Sequence, residues 1–179
     1  MGHREAYPVG PGVGRHQIEG MASHNEIELI ITQLEQAFRR KSWHGTNLLG
    51  SIRGVDVETA SWRPAKGRHN IWELIIHSAY WKYSVYRRFA NETRSNFPIR
   101  GSNWFVRPIE ESPASLSKDI AILKDYHNKL IEAVDAFPAA RLLKVPKGSS
   151  TTYRDLVIGA AAHDLYHAGQ IQLLKRLQK

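Results

Sequence analysis

The sequence predicts an all-α fold: a four-helix bundle with a long connection between its second and third helices. Apolar residues recur at the spacing of a helix face in four long segments, and residues typical of helix N-caps stand at the starts of these segments. No alternating pattern typical of a β-strand and no internal repeat interrupts them. A chain of 179 residues is long enough to bury the core of one such domain.

The first helix is predicted to begin at a capping box, Ser23 with Glu26, and to end near Lys41. Residues 1–20 are rich in glycine and show no helical periodicity, so they are predicted to form a flexible tail before a domain spanning 21–179. This tail lacks the apolar middle of a signal peptide.

A short helical piece is expected over residues 47–53, followed by a loop at Pro64 and Gly67. Asn70 with Glu73 forms a second capping box and opens the second helix. Because that helix is apolar nearly all round, in the stretch NIWELIIHSAYWKYSVYRRF, it is predicted to be central in the bundle.

The long connection, residues 91–113, carries several prolines and aromatic residues. Ordered loops of this length in compact domains are often functional, and the aromatic residues are expected to lie against the bundle. The third helix is predicted to begin near Ser115, and Thr151 or Thr152 is expected to cap the last helix. Because this long connection can act as a crossover, a simple up-down order of the four helices is not assured.

Composition excludes several classes of function. The chain has no cysteine, which rules out disulfides, thiolate metal sites and a cysteine nucleophile. No apolar run approaches the length of a membrane span, so a soluble, cytoplasmic protein without a membrane partner is expected. The net charge of +8 makes nucleic acid a conceivable partner, but the basic residues are scattered and no recognition motif accompanies them. Nucleic-acid binding is therefore the least favoured function.

Polar residues interrupt the core-facing stripe of the last helix. His163 and His167 lie four residues apart on that stripe, close enough to bind one metal ion. His77, midway along the central helix, can supply a third nitrogen, because metal sites in bundles take ligands from facing helices. Three imidazoles leave a coordination position open and suit Zn, Ni, Fe or Cu rather than Mg or Ca.

The stretch HDLYH resembles the zinc-protease pattern H-E-x-x-H, with Asp164 in place of the glutamate. Aspartate is one methylene shorter, and only twelve residues follow His167, too few for the usual downstream third ligand. A protease is therefore disfavoured.

Other side chains are candidates for supporting roles. Glu73 can orient a ligand or accept a proton, although it is also explained as the capping partner of Asn70. Gln170 follows His167 on the same stripe and can hydrogen-bond a bound water or a neighbouring helix. Three further residues are candidates for the border of a substrate pocket: His44, Trp81 and Tyr166. Trp81 and Tyr166 are also typical packing residues.

Three stretches together resemble the DinB/YfiT-like superfamily of small helical metalloproteins: SWHGTNLLGSIRGV, HNIWELIIHSAYWK and HDLYHAGQIQLLKR. The resemblance covers about residues 24–178. It implies an up-down-down-up four-helix bundle, commonly dimeric, with a divalent metal held by His77, His163 and His167. Some members resemble thiol transferases or isomerases that use a low-molecular-weight thiol.

The sequence thus favours a metal-dependent enzyme that acts on a small electrophilic substrate, either as a thiol-dependent S-transferase or as a hydrolase. A bound metal can activate water for hydrolysis or hold a thiol as its thiolate. Because the chain has no cysteine, any thiol must be a separate molecule. The alternative is a non-catalytic, stress-associated bundle that binds a metal or a ligand.

Overall fold

The computed structural model describes residues 15–92 and 97–179, with side chains from residue 26 onward. The described residues form helices and no β-strand, which confirms the all-α prediction. The helices are α1 (Arg15–Phe38), α2 (Leu48–Ser51), α3 (Val57–Ser61), α4 (Ile71–Phe89), α5 (Pro113–Asp135) and α6 (Tyr153–Leu177), with a 3₁₀ turn at Ala139–Arg141.

Side-chain caps fix the starts of the helices that matter for function. The Asn70 side chain accepts a hydrogen bond from the backbone N–H of Glu73 at 2.8 Å, and Thr152 caps α6 in the same way. Both predicted starts are confirmed. Helix α5 begins slightly earlier than predicted, because Ser112 is its cap and Pro113 occupies the first turn.

The start of α1 was not where the capping box indicated. The helix begins at Arg15 and runs through Ser23, since no residue between them prevents helix formation and a single glycine costs only about 1 kcal/mol. Residues 1–14 of the predicted tail lie outside the described residues.

Two short helices lie between α1 and α4. Helix α2, capped by Asn47, confirms the predicted helical piece. Helix α3, capped by Asp56, was not predicted, because five residues are too few to show a periodic pattern.

Helices α1 and α4 each pack against both α5 and α6. Helix α4 is buried on most of its surface, which confirms its predicted central place. Two apolar clusters form the core, one around Trp72 and the other around Leu34 and Leu130. Along α6 the first cluster begins at Ala168 and the second ends at Ala161, and the two histidines lie between them. The up-down-down-up order stays a prediction. Among the described helices, none combines the length and the apolar character that crossing a bilayer requires.

Candidate metal centre

Three histidine rings from two helices meet between the two apolar clusters. Nε2 of His163 lies 3.2 Å from Nε2 of His77 and 3.0 Å from Nε2 of His167. One nitrogen from each ring lies within 4.8 Å of the other two. His77 and His167 are buried and His163 is partly buried. The structure therefore brings together the three residues that the sequence singled out.

The local structure explains this convergence. His163 and His167 are one turn apart on α6 and so face the same side of the helix. Helix α4 packs against that side and contributes His77 from its middle. A substantial change in the packing of α4 on α6 would separate the rings.

Hydrogen bonds fix the tautomers of two rings. Nδ1–H of His77 donates to the backbone carbonyl of Asn103 at 2.8 Å, and Nδ1–H of His167 donates to Oε1 of Gln170 at 2.7 Å. An Nδ1 that donates leaves Nε2 of the same ring with its lone pair free. Both lone pairs therefore point at the space that the three rings share, as metal-ligating histidines do.

The donor set fits a divalent transition metal. Of the three Nε2 atoms, only that of His163 can carry a hydrogen. At least one of the two close pairs of Nε2 atoms therefore has no hydrogen between its nitrogens, and their lone pairs face each other. Burial lowers the pKa of His77 to about 4 and that of His163 to about 3, and it also lowers the pKa of His167. All three rings are thus neutral near pH 7, the state that binds metal.

The spacing of the nitrogens agrees with this assignment. Nitrogens at about 2.0–2.1 Å from a tetrahedral zinc ion lie roughly 3.3 Å apart, close to the two Nε2 distances observed. Imidazole nitrogens suit Zn, Ni or Fe, whereas Mg and Ca require oxygen ligands.

The aromatic residues Phe97 and Phe105 of the long connection lie against the bundle, as predicted, and Asn103 and Trp104 of the same connection cover the centre. Asn103 adopts the left-handed conformation, with φ 63°, which asparagine tolerates better than most residues. Its backbone carbonyl accepts the bond from His77, and its side-chain oxygen accepts one from Nε1–H of Trp81 at 2.9 Å. One face of the Trp104 ring stacks on His77 at 3.8 Å and the other on His69 at 3.6 Å.

Glu73 lies one turn before His77, where both of its carboxylate oxygens already have partners. Arg63 donates to both oxygens, and His69 donates to one of them from Nδ1 at 2.8 Å. Burial opposes ionisation of this carboxyl, but the bonds from Arg63 and His69 hold its pKa below the usual value. Glu73 therefore holds His69, which stacks on Trp104, which in turn stacks on His77.

The three predicted pocket residues lie in different environments. Trp81 lines a groove beside His163 and makes edge contacts with His77 and His163. Tyr166 is 64% exposed and lies with its ring edge against His167. His44 is exposed and bonds Ser42 in its own loop.

Two residues that support the triad could not be predicted from the sequence. Asn103 and Arg63 were not identified from the sequence, because their roles depend on contacts between distant segments. The signal for Asn103 was an asparagine within a loop rich in proline, glycine and aromatic residues, since asparagine is enriched where φ is positive.

A second polar cluster lies in the core next to the triad. Asp164 and Lys82 are both about 1% exposed and form an ion pair, and the Lys82 ammonium also donates to Nδ1 of His127 at 3.2 Å. Asp164 occupies the position of the general base in the zinc-protease pattern, but here it is buried and paired with lysine. An aspartate held in this way is not positioned to act as that base. His127 stacks on Phe38 and is not among the three converging rings.

The comparisons with known proteins identify a family. No curated protein and no solved structure is significantly similar to this chain. The model of the DinB superfamily matches residues 41–171, well over half of the chain and including all three histidines. The chain belongs to the DinB superfamily.

Proposed function

We propose that this protein is a metal-dependent enzyme whose divalent transition metal is held by His77, His163 and His167. The observation that carries the proposal is the convergence of three neutral Nε2 atoms from two helices. A site with three protein ligands keeps a position for water or substrate, as catalytic zinc sites do.

The residues around the triad have distinct roles in this proposal. Asn103 and Gln170 orient two of the ligand rings through their Nδ1 atoms. Glu73 is a positioning residue that acts through His69 and Trp104. His163, the ring with the greatest exposure of the three, also lines a groove large enough for a small molecule, which supports a small-molecule substrate.

A bound Zn, Ni or Fe ion supplies a Lewis acid that lets water or a thiol react as its conjugate base near neutral pH. The chain has no cysteine, so thiol chemistry requires a low-molecular-weight thiol as cosubstrate. We propose S-transfer from such a thiol or hydrolysis, in either case on a small electrophilic substrate. We also expect a homodimer, as the family resemblance implies.

The test begins with metal content. Full-length protein is loaded with zinc, desalted and analysed for metal, alongside His163→Ala and the exposed control His44→Ala. We expect about one equivalent in the wild type and in His44→Ala, and a loss of that equivalent in His163→Ala. Stoichiometric zinc retained in His163→Ala contradicts the assignment of the ligands.

The reaction is tested on the loaded wild type with a panel of small electrophiles, with and without an added thiol. Turnover that requires the thiol identifies a transferase, and turnover without it identifies a hydrolase. A full equivalent of zinc with no turnover in either assay contradicts the enzymatic part of the proposal and leaves a metal-binding bundle.

A further inference from the structure

A groove of about 220 Å³ runs between α4 and α6 and ends at the triad. Trp81 and His163 lie at one end, and Arg88 and Thr151 at the other. Trp81 and Arg88 are seven residues apart on one helix, so the groove spans about two turns, or roughly 10 Å. It therefore leads directly away from the ring that is the most accessible of the three.

The walls of the groove between these two ends are mainly apolar. Val85 comes from α4, and Leu156 and Ala160 come from α6. These side chains can desolvate the apolar body of a small molecule but offer it no hydrogen bonds.

Arg88 supplies a positive charge at the far end. Its Nη1 donates to the carbonyl of Ser84 at 2.6 Å and to the hydroxyl of the same residue at 2.9 Å. These two bonds hold the guanidinium against its own helix. Among the described residues, its Nε and Nη2 atoms have no hydrogen-bond partner.

The carboxylate of Asp155 also borders this end, but it does not form an ion pair with Arg88. Asp155 accepts a bond from the Thr152 hydroxyl at 2.7 Å, and its nearest arginine nitrogen belongs to Arg154 at 3.8 Å. The free N–H groups of a held guanidinium match the two oxygens of a carboxylate.

We propose that this groove binds the substrate, and that the substrate is a small molecule with an apolar body and a terminal carboxylate. The carboxylate pairs with Arg88, the apolar body lies between Val85 and Leu156, and the reacting end lies at the triad. The role of the reacting end rests on the proposed function, whereas the binding of the rest of the molecule does not require metal.

One glycine allows the groove to be blocked without disturbing the core. Gly159 lines the groove on α6, and a Cβ atom built there would meet no atom within 4 Å. Glycine is the weakest helix former apart from proline, so Gly159→Leu fills space in the groove and favours the helix. Gly169 is equally open on the same helix but does not line the groove, which makes Gly169→Leu a matched control.

The test uses 4-phenylbutyrate as probe and its neutral amide, 4-phenylbutyramide, as comparison, with dissociation constants measured by calorimetry at pH 7.5. Full-length protein is titrated both metal-free and zinc-loaded. We expect the acid to bind both forms and to bind more tightly than the amide. Gly159→Leu should weaken binding of the acid about tenfold or more, and Gly169→Leu should leave it unchanged.

The charge is tested with Arg88→Gln against Arg87→Gln, whose arginine does not line the groove. Arg88→Gln should weaken binding of the acid about tenfold and leave the amide unaffected, because only a charge-assisted contact is lost. Equal binding of acid and amide, or no effect of Arg88→Gln, overturns the carboxylate assignment. No effect of Gly159→Leu, or no binding of the acid at millimolar concentration, overturns the groove as the site. If the protein fails to load zinc but the metal-free form still binds the acid, the proposed function is contradicted and the groove proposal stands.

Discussion

The positions of individual protons decide what the triad can bind. His77 donates its Nδ1 hydrogen to an oxygen of the covering loop, the part of the long connection over residues 97–112. His167 donates its Nδ1 hydrogen to an oxygen in the next turn of α6. Without these acceptors the hydrogen could move to Nε2 and block the lone pair that faces the centre. The acceptors on the Asn103 backbone and the Gln170 side chain therefore keep the triad in the tautomers that can bind a metal.

Gln170→Ala removes the acceptor from Nδ1–H of His167, and we expect it to lower zinc affinity about 10- to 100-fold. Competition with a zinc-binding dye measures the change. Gln172→Ala, on the same helix but without a contact to the triad, is the control and should bind zinc as the wild type does. Equal affinity of Gln170→Ala and the wild type would show that this hydrogen bond does not support the centre.

His127, a buried histidine outside the triad, should make the free energy of unfolding depend on pH. Burial, reinforced by the charges of Lys82 and Arg39, lowers the pKa of His127 to about 2. Asp164 of α6 pairs with that lysine, and Glu35 of α1 lies 3.4 Å from Nε2 of His127, so the charges that face the ring come from α1, α4 and α6.

The sign of the effect follows from where the proton binds. Below about pH 6.5 the unfolded chain protonates this histidine and the folded chain does not, so stability falls as pH falls. His127 contributes up to about 1.4 kcal/mol per pH unit to this slope. Urea unfolding of metal-free protein between pH 7.5 and 5 should show a shallower slope for His127→Gln and an unchanged one for the exposed control His44→Gln. Equal slopes for His127→Gln and wild type would mean that the folded protein takes up the proton.

At the scale of elements, the covering loop is attached at two places. Near the triad, Asn103 bonds His77 and Trp81. Further along, the carbonyl of Arg107 accepts hydrogen bonds from Arg63 and from Asn70, the residue that caps α4. The start of α4 and the loop thus hold each other, and Trp104 lies between the two attachments.

Trp104→Ala removes the ring that stacks on both His69 and His77, and we expect faster backbone hydrogen exchange across residues 97–112 together with weaker zinc binding. The physical reason is that His77 loses the packing that fixes its orientation, while its bond to Asn103 remains. Trp43→Ala is the control, because Trp43 is 97% exposed. Unchanged exchange in the loop would show that its other contacts hold it without the Trp104 stack.

Local features of the helices could be predicted from the sequence, whereas contacts between distant segments could not. The caps at Asn70 and Thr152 and the histidine stripe of α6 depend on residues three or four apart, so they were predicted correctly. The contact of His77 with α6 could be anticipated because a central apolar helix must pack against its neighbours. The Trp104 stack, the turn at Asn103 and the partners of Glu73 depend on segments distant in the chain, and no local pattern encodes them.

For the whole molecule, the buried ion pair joins the helices of the core. Lys82 of α4 contacts Asp164 of α6, His127 of α5 and the face of the Phe38 ring of α1. Burial lowers the pKa of Lys82 and raises that of Asp164, so each depends on the other to remain charged. One carboxylate oxygen of Asp164 has no hydrogen-bond partner among the described residues.

Asp164→Asn leaves Lys82 buried without a counter-ion, and we expect a loss of about 3–5 kcal/mol in the free energy of unfolding of metal-free protein. Replacing both partners, with Lys82→Met and Asp164→Leu, should recover most of that loss, because no charge is then left in the core. Chemical denaturation measures both variants. A single variant as stable as the wild type would show that the pair is not buried in solution as it is in the structure.

The most direct test of the metal centre is a crystal structure of zinc-loaded protein with anomalous diffraction collected at the zinc edge. We predict one strong peak at about 2.0–2.1 Å from Nε2 of His77, His163 and His167 together. A peak bound through Nδ1 of these rings, a peak elsewhere in the chain, or none in fully loaded protein would contradict it.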